Sequence, residues 1–263
     1  MASASQTIIQ VQGVDLELLQ LGSGPPLLFL HGGAGLQPSA PFLGLLARHF
    51  RVLAPSHPGF GRSSLPDAFD SVDDLAFFYL DLLDHLDLRD LLLIGHSFGG
   101  WVAAELAVRC CHRLSRLVLA DPIGIKIGGR EARDVADFFA LAPAKLDELR
   151  YHQPPPPPEL SSLSDEELSV MARNGASLAL YSWEPFAHNP KLRSRLHRIS
   201  VPTLLIWGES DGIVSTQYGE AYRDAIPGAT LEIIPEAGHL PQIEQPEAFV
   251  DRVFEFAGVS RAV

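Results

Sequence analysis

Short runs of bulky apolar residues punctuate this chain: "LLFL" at 27–30, "RVLAP" at 51–55, "LLLI" at 91–94, "LVLA" at 117–120 and "LLIW" at 204–207. Each is too short for a helix and lacks the polar alternation of a half-exposed strand. Each is closed within two residues by glycine, proline or aspartate. Such runs suit central strands buried on both faces. Helical patterns lie between them. In 71–86, Ser71 can cap, Asp73 and Asp74 suit the first turn, and Leu75, Phe78, Leu82 and Leu86 recur at helical spacing. Further helices are expected at 42–49 and 98–109. Strand–helix–strand units repeated in this way build a mainly parallel sheet with helices on both faces.

Before the first buried run, "TIIQVQGVDLELLQLG" reads as two short strands, with Gly13 and Val14-Asp15 at the turn. The rhythm breaks at 122–200. That segment holds "DVADFFALA", "KLDELRYHQ", five prolines at 154–158, "SDEELSVMARNGASLALYSW" and "NPKLRSRLHRI". It reads as a mostly helical insertion of roughly 75 residues, too long for a plain loop, with Ser164, Glu166 and Glu167 marking a helix start. The proline run is expected to be extended, a stiff connector or else an SH3-type ligand. The strand–helix pattern then resumes to the C-terminus. The chain therefore divides into a core part at 1–121, an insertion at 122–200 and a second core part at 201–263.

Totals narrow the function. Of 263 residues, 46% are hydrophobic and 20% charged, as in a globular protein with a large core. The net charge of −12 argues against nucleic acid and against anionic membrane surfaces as partners. The two cysteines, Cys110 and Cys111, are adjacent, a poor staple and no zinc spacing. No basic-then-apolar leader opens the sequence, and no apolar run reaches the roughly 18 residues of a membrane span. A soluble, cytoplasmic protein is expected.

The stretch "LLLIGHSFGGWVAAELA" sets Ser97 between Gly95 and Gly99, where an apolar strand meets a helix. A serine hydroxyl is a weak nucleophile and must be presented to a base. A strained strand-to-helix turn does this, relieved by small residues two positions either side. The following helix aims its free N–H groups at the reacting centre. The base and its orienting acid come later in the chain. "WGESDGIV" puts Asp211 just past one buried strand, and "IPEAGHLPQIEQP" puts His239 just past the last. Ligands of open parallel sheets bind at these strand ends, so Ser97, Asp211 and His239 form the expected catalytic set. Asp121, following "LVLA", is the second choice for the acid. Glu209 and Glu236 fit the loop registers less well.

A hydrolase also needs N–H donors for the oxyanion. Phe98, next after the nucleophile, is one. The other is expected from "HGGAG" at 31–35, with Gly33 favoured and Ala34 the alternative. His31, His57 and His96 lie in loops near the site and read as structural or pocket-lining groups, His31 tying loops together through its ring. The pocket is expected to be apolar. Trp101, Phe138, Phe139, Leu141, Tyr181 and Trp183 are its candidate walls, with His96 and Leu240 beside the reacting groups. No metal cluster and no dinucleotide-binding glycine pattern is present, so no metal or cofactor is expected.

From about residue 7 to the C-terminus, these motifs resemble the α/β-hydrolase superfamily. "HGGAG" corresponds to the oxyanion loop, "HPGFGRS" to the loop after the next strand, "GHSFGG" to the nucleophile turn, "WGESD" to the acid and "AGHLPQIEQPEAF" to the histidine. The resemblance implies a mostly parallel eight-stranded sheet with a helical cap inserted after the sixth strand. Ser56-His57 departs from the family's pattern, since many relatives carry aspartate before Pro-Gly; this puts a loop hydrogen bond in doubt. The superfamily hosts many reactions. Members resembling haloalkane dehalogenases and epoxide hydrolases carry aspartate at the nucleophile turn, where Ser97 stands here. Members that cleave carbon–carbon bonds of ring-fission products typically follow the histidine with tryptophan, where Leu240-Pro241 stands here. The expected activity is thus hydrolysis of a small, largely apolar ester, lactone or thioester through an acyl-enzyme. Carbon–carbon hydrolysis and a slow, receptor-like hydrolase are the alternatives. Activity is expected to rise with pH as the histidine loses its proton.

Overall fold

The central strands are apolar throughout because both of their faces are covered. In the computed structural model, which describes residues 5–37, 39–156 and 159–259, alternate side chains of each strand enter two separate cores. Leu28, Leu91, Leu93, Leu117, Leu119, Leu205 and Trp207 join one, and Leu27, Phe29, Leu92, Ile94, Val118, Leu204 and Ile206 the other. The sheet has eight strands: β1 (Ser5–Val11), β2 (Val14–Leu21), β3 (Pro26–Leu30), β4 (Arg51–Pro55), β5 (Leu91–His96), β6 (Leu114–Ala120), β7 (Thr203–Gly208) and β8 (Thr230–Ile234). Their order is β1-β2-β4-β3-β5-β6-β7-β8. β1–β2 and β2–β4 are antiparallel, and every other neighbour pair is parallel. The mostly parallel eight-stranded α/β sheet is therefore as expected.

The helices are α1 (Pro41–Leu46), α2 (Val72–His85), α3 (Phe98–Arg109), α4 (Pro143–Arg150), α5 (Asp165–Ser182), α6 (Thr216–Ala225), α7 (Pro241–Glu244) and α8 (Pro246–Ala257). α1 and α8 cover one face, and α2, α3 and α6 cover the other. Ser71 caps α2 and exchanges hydrogen bonds with Asp74, and Ser164 does the same for α5 with Glu167. These reciprocal caps satisfy amides that the first helical turn leaves free.

Three local expectations are corrected. The hairpin turn is Gln12-Gly13, both at positive φ (48° and 81°), while Val14 and Asp15 already pair in β2; two such residues match the twist of a tight hairpin. Residues 134–142 form turns, not a helix. Asp134 there accepts from the amides of Ile127 and Gly128, and Asp137 from that of Ala140. Short acidic side chains thus compete with helical bonding. Finally, a short helix, α7, intervenes before the closing helix. Pro154–Pro156 are exposed and in neither helix nor strand, and the rest of the expected proline connector, Pro157 and Pro158, lies outside the described residues.

The stretch between β6 and β7 contains α4, α5 and two short 3-10 helices, with no strand among its described residues. α5 lies over the loops that follow β3 and β4. The Asn174 amide donates to Ala34 O (3.0 Å) and accepts from Gly61 N (2.9 Å), Ser177 Oγ donates to Gly59 O (2.7 Å), and Tyr181 OH donates to Pro58 O (3.1 Å). α4 ends over the loops that follow β7 and β8. Leu149 O accepts from Gly212 N (2.9 Å) and Arg150 O from His239 N (2.7 Å).

Candidate active site

The C-terminal ends of β3, β5, β6, β7 and β8 bring His31–Gly35, Ser97, Asp121, Asp211 and His239 to one edge of the sheet. Ser97 sits between β5 and α3 at φ 52°, ψ −114°, a conformation costly for a residue with a side chain. The turn is held by Ser97 N donating to Ala120 O (2.9 Å), while Ser97 O accepts from Trp101 N (3.1 Å). The flanking glycines are required by space. A Cβ on Gly99 would run into the carbonyl oxygens of Leu30 and His31, and one on Gly95 into that of Gly99.

Ser97 Oγ donates to His239 Nε2 at 2.7 Å, and His239 Nδ1 donates to Asp211 Oδ2 at 2.8 Å. A carboxylate can only accept, so the imidazole carries its proton on Nδ1 and turns a lone pair toward the serine. Asp211 is held in turn by the amides of Ile213 (2.7 Å) and Val214 (3.1 Å) on its Oδ1. Its side chain is wholly buried, and that of His239 nearly so. The relay is desolvated, which strengthens each link. Asp121, the second choice, lies beside this relay without joining it in place of Asp211. Its Oδ1 accepts from Gly208 N at 2.9 Å, and burial together with the neighbouring Asp211 charge pushes its carboxyl well above the usual range. Glu209 and Glu236 are exposed.

The N–H of Phe98 opens α3 and has no acceptor within the helix. Gly33, Ala34 and Phe98 all line the same cavity as Ser97 and His239. His31 ties loops together as anticipated. Its Nδ1 donates to Gly32 O (2.8 Å) and its Nε2 accepts from His57 N (3.0 Å). The His57 ring makes the loop contacts that the departure at Ser56-His57 had put in doubt. It donates to His31 O (2.9 Å) and accepts from Tyr79 OH (2.6 Å). His96 donates to the backbone oxygen of His239 at 2.7 Å, fixing the histidine loop. Burial pushes the imidazoles of His31 to about 4 and His96 to about 3, and His57 well below its ordinary value, so all three are neutral.

The cavity encloses about 270 Å³, on the scale of a small-molecule site. Of the expected pocket residues, His96, Phe138, Phe139 and Leu240 line it. Four do not, Leu141 among them. Trp101 is buried beneath Gly124, its ring near Phe98 and its Nε1 donating to Glu105. Tyr181 stacks on the far side of Phe98, its hydroxyl spent on Pro58. Trp183 is 61% exposed on the outer surface. Residues not anticipated take their place: Ile123, Leu146, Leu178, Ile213 and Ile243, and one cation, Arg150, at the end of α4. Both ring nitrogens of His239 are engaged by Ser97 and Asp211, so the Asp121–Asp211–His239 cluster offers no free imidazole to a metal ion. Among the described residues no helix is long and apolar enough to cross a membrane.

A serine held on a strained turn against a buried histidine–aspartate pair, at the edge of a mostly parallel sheet, defines a hydrolase-type site. The sequence profile of the alpha/beta hydrolase family matches residues 27–252, and the chain belongs to that family. It is 31% identical over 265 residues to a 2-hydroxymuconate semialdehyde hydrolase of Pseudomonas sp. strain CF600, covering 93% of this chain and 90% of that one. It is 28% identical over 267 residues to a 2-hydroxy-6-oxo-2,4-heptadienoate hydrolase of Pseudomonas putida strain F1, covering 93% of each. Among solved structures it resembles a membrane phospholipase A described as a bacterial virulence factor, with TM-score 0.80 and 26% identity over 98% of this chain and 87% of that chain.

Proposed function

We propose that this chain is a serine hydrolase that cleaves the carbon–carbon bond beside a ketone in a small dienoic acid of the ring-fission type. The observation that carries the reading is the Ser97–His239–Asp211 relay opening into a small, mainly apolar cavity whose lining includes, among the described residues, one arginine, Arg150, which pairs with Asp147 at 3.2 Å and would turn to the substrate. The relay supplies attack on a carbonyl, the apolar walls suit a short carbon chain, and the guanidinium suits the carboxylate at its other end. Two full-length relatives named for substrates of this kind favour it over a simple ester. The insertion at 122–200 acts as the cap that closes over this substrate.

In this reading the substrate reacts as its 2,6-dioxo tautomer. His239 takes the Ser97 proton as Oγ adds to the C6 carbonyl, and the N–H groups of Phe98 and Gly33 receive the oxyanion. Collapse breaks the C5–C6 bond. The electron pair passes along the chain to the 2-oxo oxygen, which takes up a proton to give the 2-hydroxydienoate. The acyl group remains on Ser97 until water, deprotonated by His239, releases it as a carboxylic acid. Ester hydrolysis is the second reading. It needs only the acyl-enzyme half of this chemistry, and it is favoured by Leu240-Pro241 after His239 and by the likeness to a phospholipase.

Loss of the dienolate absorbance of 2-hydroxy-6-oxo-2,4-heptadienoate, run beside hydrolysis of p-nitrophenyl butyrate, tests both. The expected result is a higher kcat/KM for the dienoate, abolished in Ser97→Ala. Arg150→Ala should raise its KM by about 10-fold or more, the worth of one charge-assisted hydrogen bond, with little change for the neutral ester. Ester turnover without dienoate cleavage would select the second reading. Full activity of Ser97→Ala on both would overturn the nucleophile.

A further inference from the structure

Asp121 is the buried acid that the relay leaves unexplained. It directly follows β6, at φ 43°, a strained conformation for a residue with a side chain. Its backbone N–H donates to Ile206 O (3.0 Å) and its Oδ1 accepts from Gly208 N (2.9 Å), which fixes the carboxyl between β6 and β7. Its other oxygen, Oδ2, is buried and meets no donor among the described residues. A carboxylate oxygen left bare in the interior is costly. The neighbouring polar groups are those of the relay, since oxygens of Asp121 and Asp211 and a ring nitrogen of His239 all lie within 4.8 Å of one another. Two adjacent buried carboxylates repel, and a single proton shared between them removes the repulsion and gives the orphaned oxygen a partner.

We propose that Asp121 is a positioning residue that works in its protonated form, donating a hydrogen bond from Oδ2 to Asp211 and thereby moderating the grip of Asp211 on His239. The inference rests on the reading of Ser97, His239 and Asp211 as the catalytic set. Asp211 then accepts from four groups: the amides of Ile213 and Val214, His239 Nδ1 and Asp121. The upward push that burial gives the Asp121 carboxyl acts in the same sense. The other charged or titratable groups facing the pair are Glu244 on α7, whose Oε2 accepts from Gly238 N, His96 at the end of β5, and Arg150 at the end of α4. With the fourth donor present, the Asp211 charge is shared and the imidazole gives up its working proton more readily. Without it, the carboxylate favours the imidazolium, and the histidine becomes a base only at higher pH.

Two variants and one spectrum test this. Asp121→Asn keeps a neutral donor toward Asp211 and an acceptor for Gly208 N. It should leave the acid limb of the kcat/KM–pH profile in place. Asp121→Ala removes the donor and should move that limb upward by on the order of one pH unit. An ionised Asp121 predicts instead that both variants move the limb downward, because each removes a negative charge; that outcome, or no movement in either variant, overturns the proposal. The second measurement does not depend on turnover or on the alanine variant folding. The infrared spectrum of the intact chain at pH 7 should show a buried carboxylic acid C=O band that Asp121→Asn lacks, and no difference between the two spectra in that region also overturns it. Loss of the catalytic reading would instead appear as turnover surviving in Ser97→Ala.

Discussion

Lowering the pH from 7.5 to 5 should destabilise this fold well before its surface carboxylates are protonated. His31, His57 and His96 are buried and neutral, with His31 held at about 4 and His96 at about 3 against an ordinary 6.5. The unfolded chain therefore binds protons between pH 6.5 and 4 that the folded chain refuses. A group depressed in this way contributes stability that is full above 6.5 and is lost as the pH falls. At pH 5, 1.5 units below the unfolded value, His31 and His96 each cost about 2 kcal/mol (1.5 × 1.36). His57 acts in the same sense. Asp121 acts oppositely, because the folded chain holds a proton there that the unfolded chain releases. His31 and His96 together lower stability by about 4 kcal/mol, which His57 deepens and Asp121 offsets in part, a large share of a typical domain's stability. The Glu17 carboxylate, held below its ordinary 4.5 by Arg62 and Ser56 against the opposing effect of burial, keeps its contribution over this range. Urea unfolding at pH 7.5, 6.5, 5.5 and 5.0 measures the slope. Asp121→Asn, which cannot take up the opposing proton, should be steeper than wild type. An unfolding free energy constant within about 1 kcal/mol across the range would refute the burial of three neutral imidazoles.

Other expectations concern packing around the site. Gly99→Ala drives a methyl into the Leu30 and His31 carbonyls and should cost about 3 kcal/mol with loss of turnover, while Gly44→Ala in α1, where nothing crowds the new methyl, should stabilise by about 0.5–1 kcal/mol; thermal melts compare the two. Asn174→Ala strips partners from Ala34 O and Gly61 N, and should lower Tm by about 4–8 °C and reduce kcat through the loosened loop at 31–35. Trp183→Ala, on the outer surface, should leave kcat/KM for either substrate class unaltered.

The sheet was legible because each central strand must be apolar on both faces, a pattern few other elements share. Ser97, Asp211 and His239 were legible because each follows such a strand, so topology places them without knowledge of any side-chain contact. The pocket wall was less so. Trp101 and Tyr181 carry the right chemistry, but their periodicity does not tell which neighbour covers them, and both pack around Phe98. Arg150 gave no signal, since a charged residue near a helix end is ordinary until α4 docks against the histidine loop. The turns at 134–142 were hidden by an apolar pattern that Asp134 and Asp137 override through bonds to the backbone.

The last carbonyls of α4 hold the amides of Gly212 and His239, so the helix that lines the cavity also sets the aim of the proposed base. A one-residue slip or insertion within α4 would swing the imbedded imidazole away from Ser97 as surely as a change in the loop itself. α5 touches the loops after β3 and β4, not those of the relay, through side chains of its inner face. Divergence toward new substrates can therefore rewrite α5 residue by residue, whereas α4 must keep its length and end where it does.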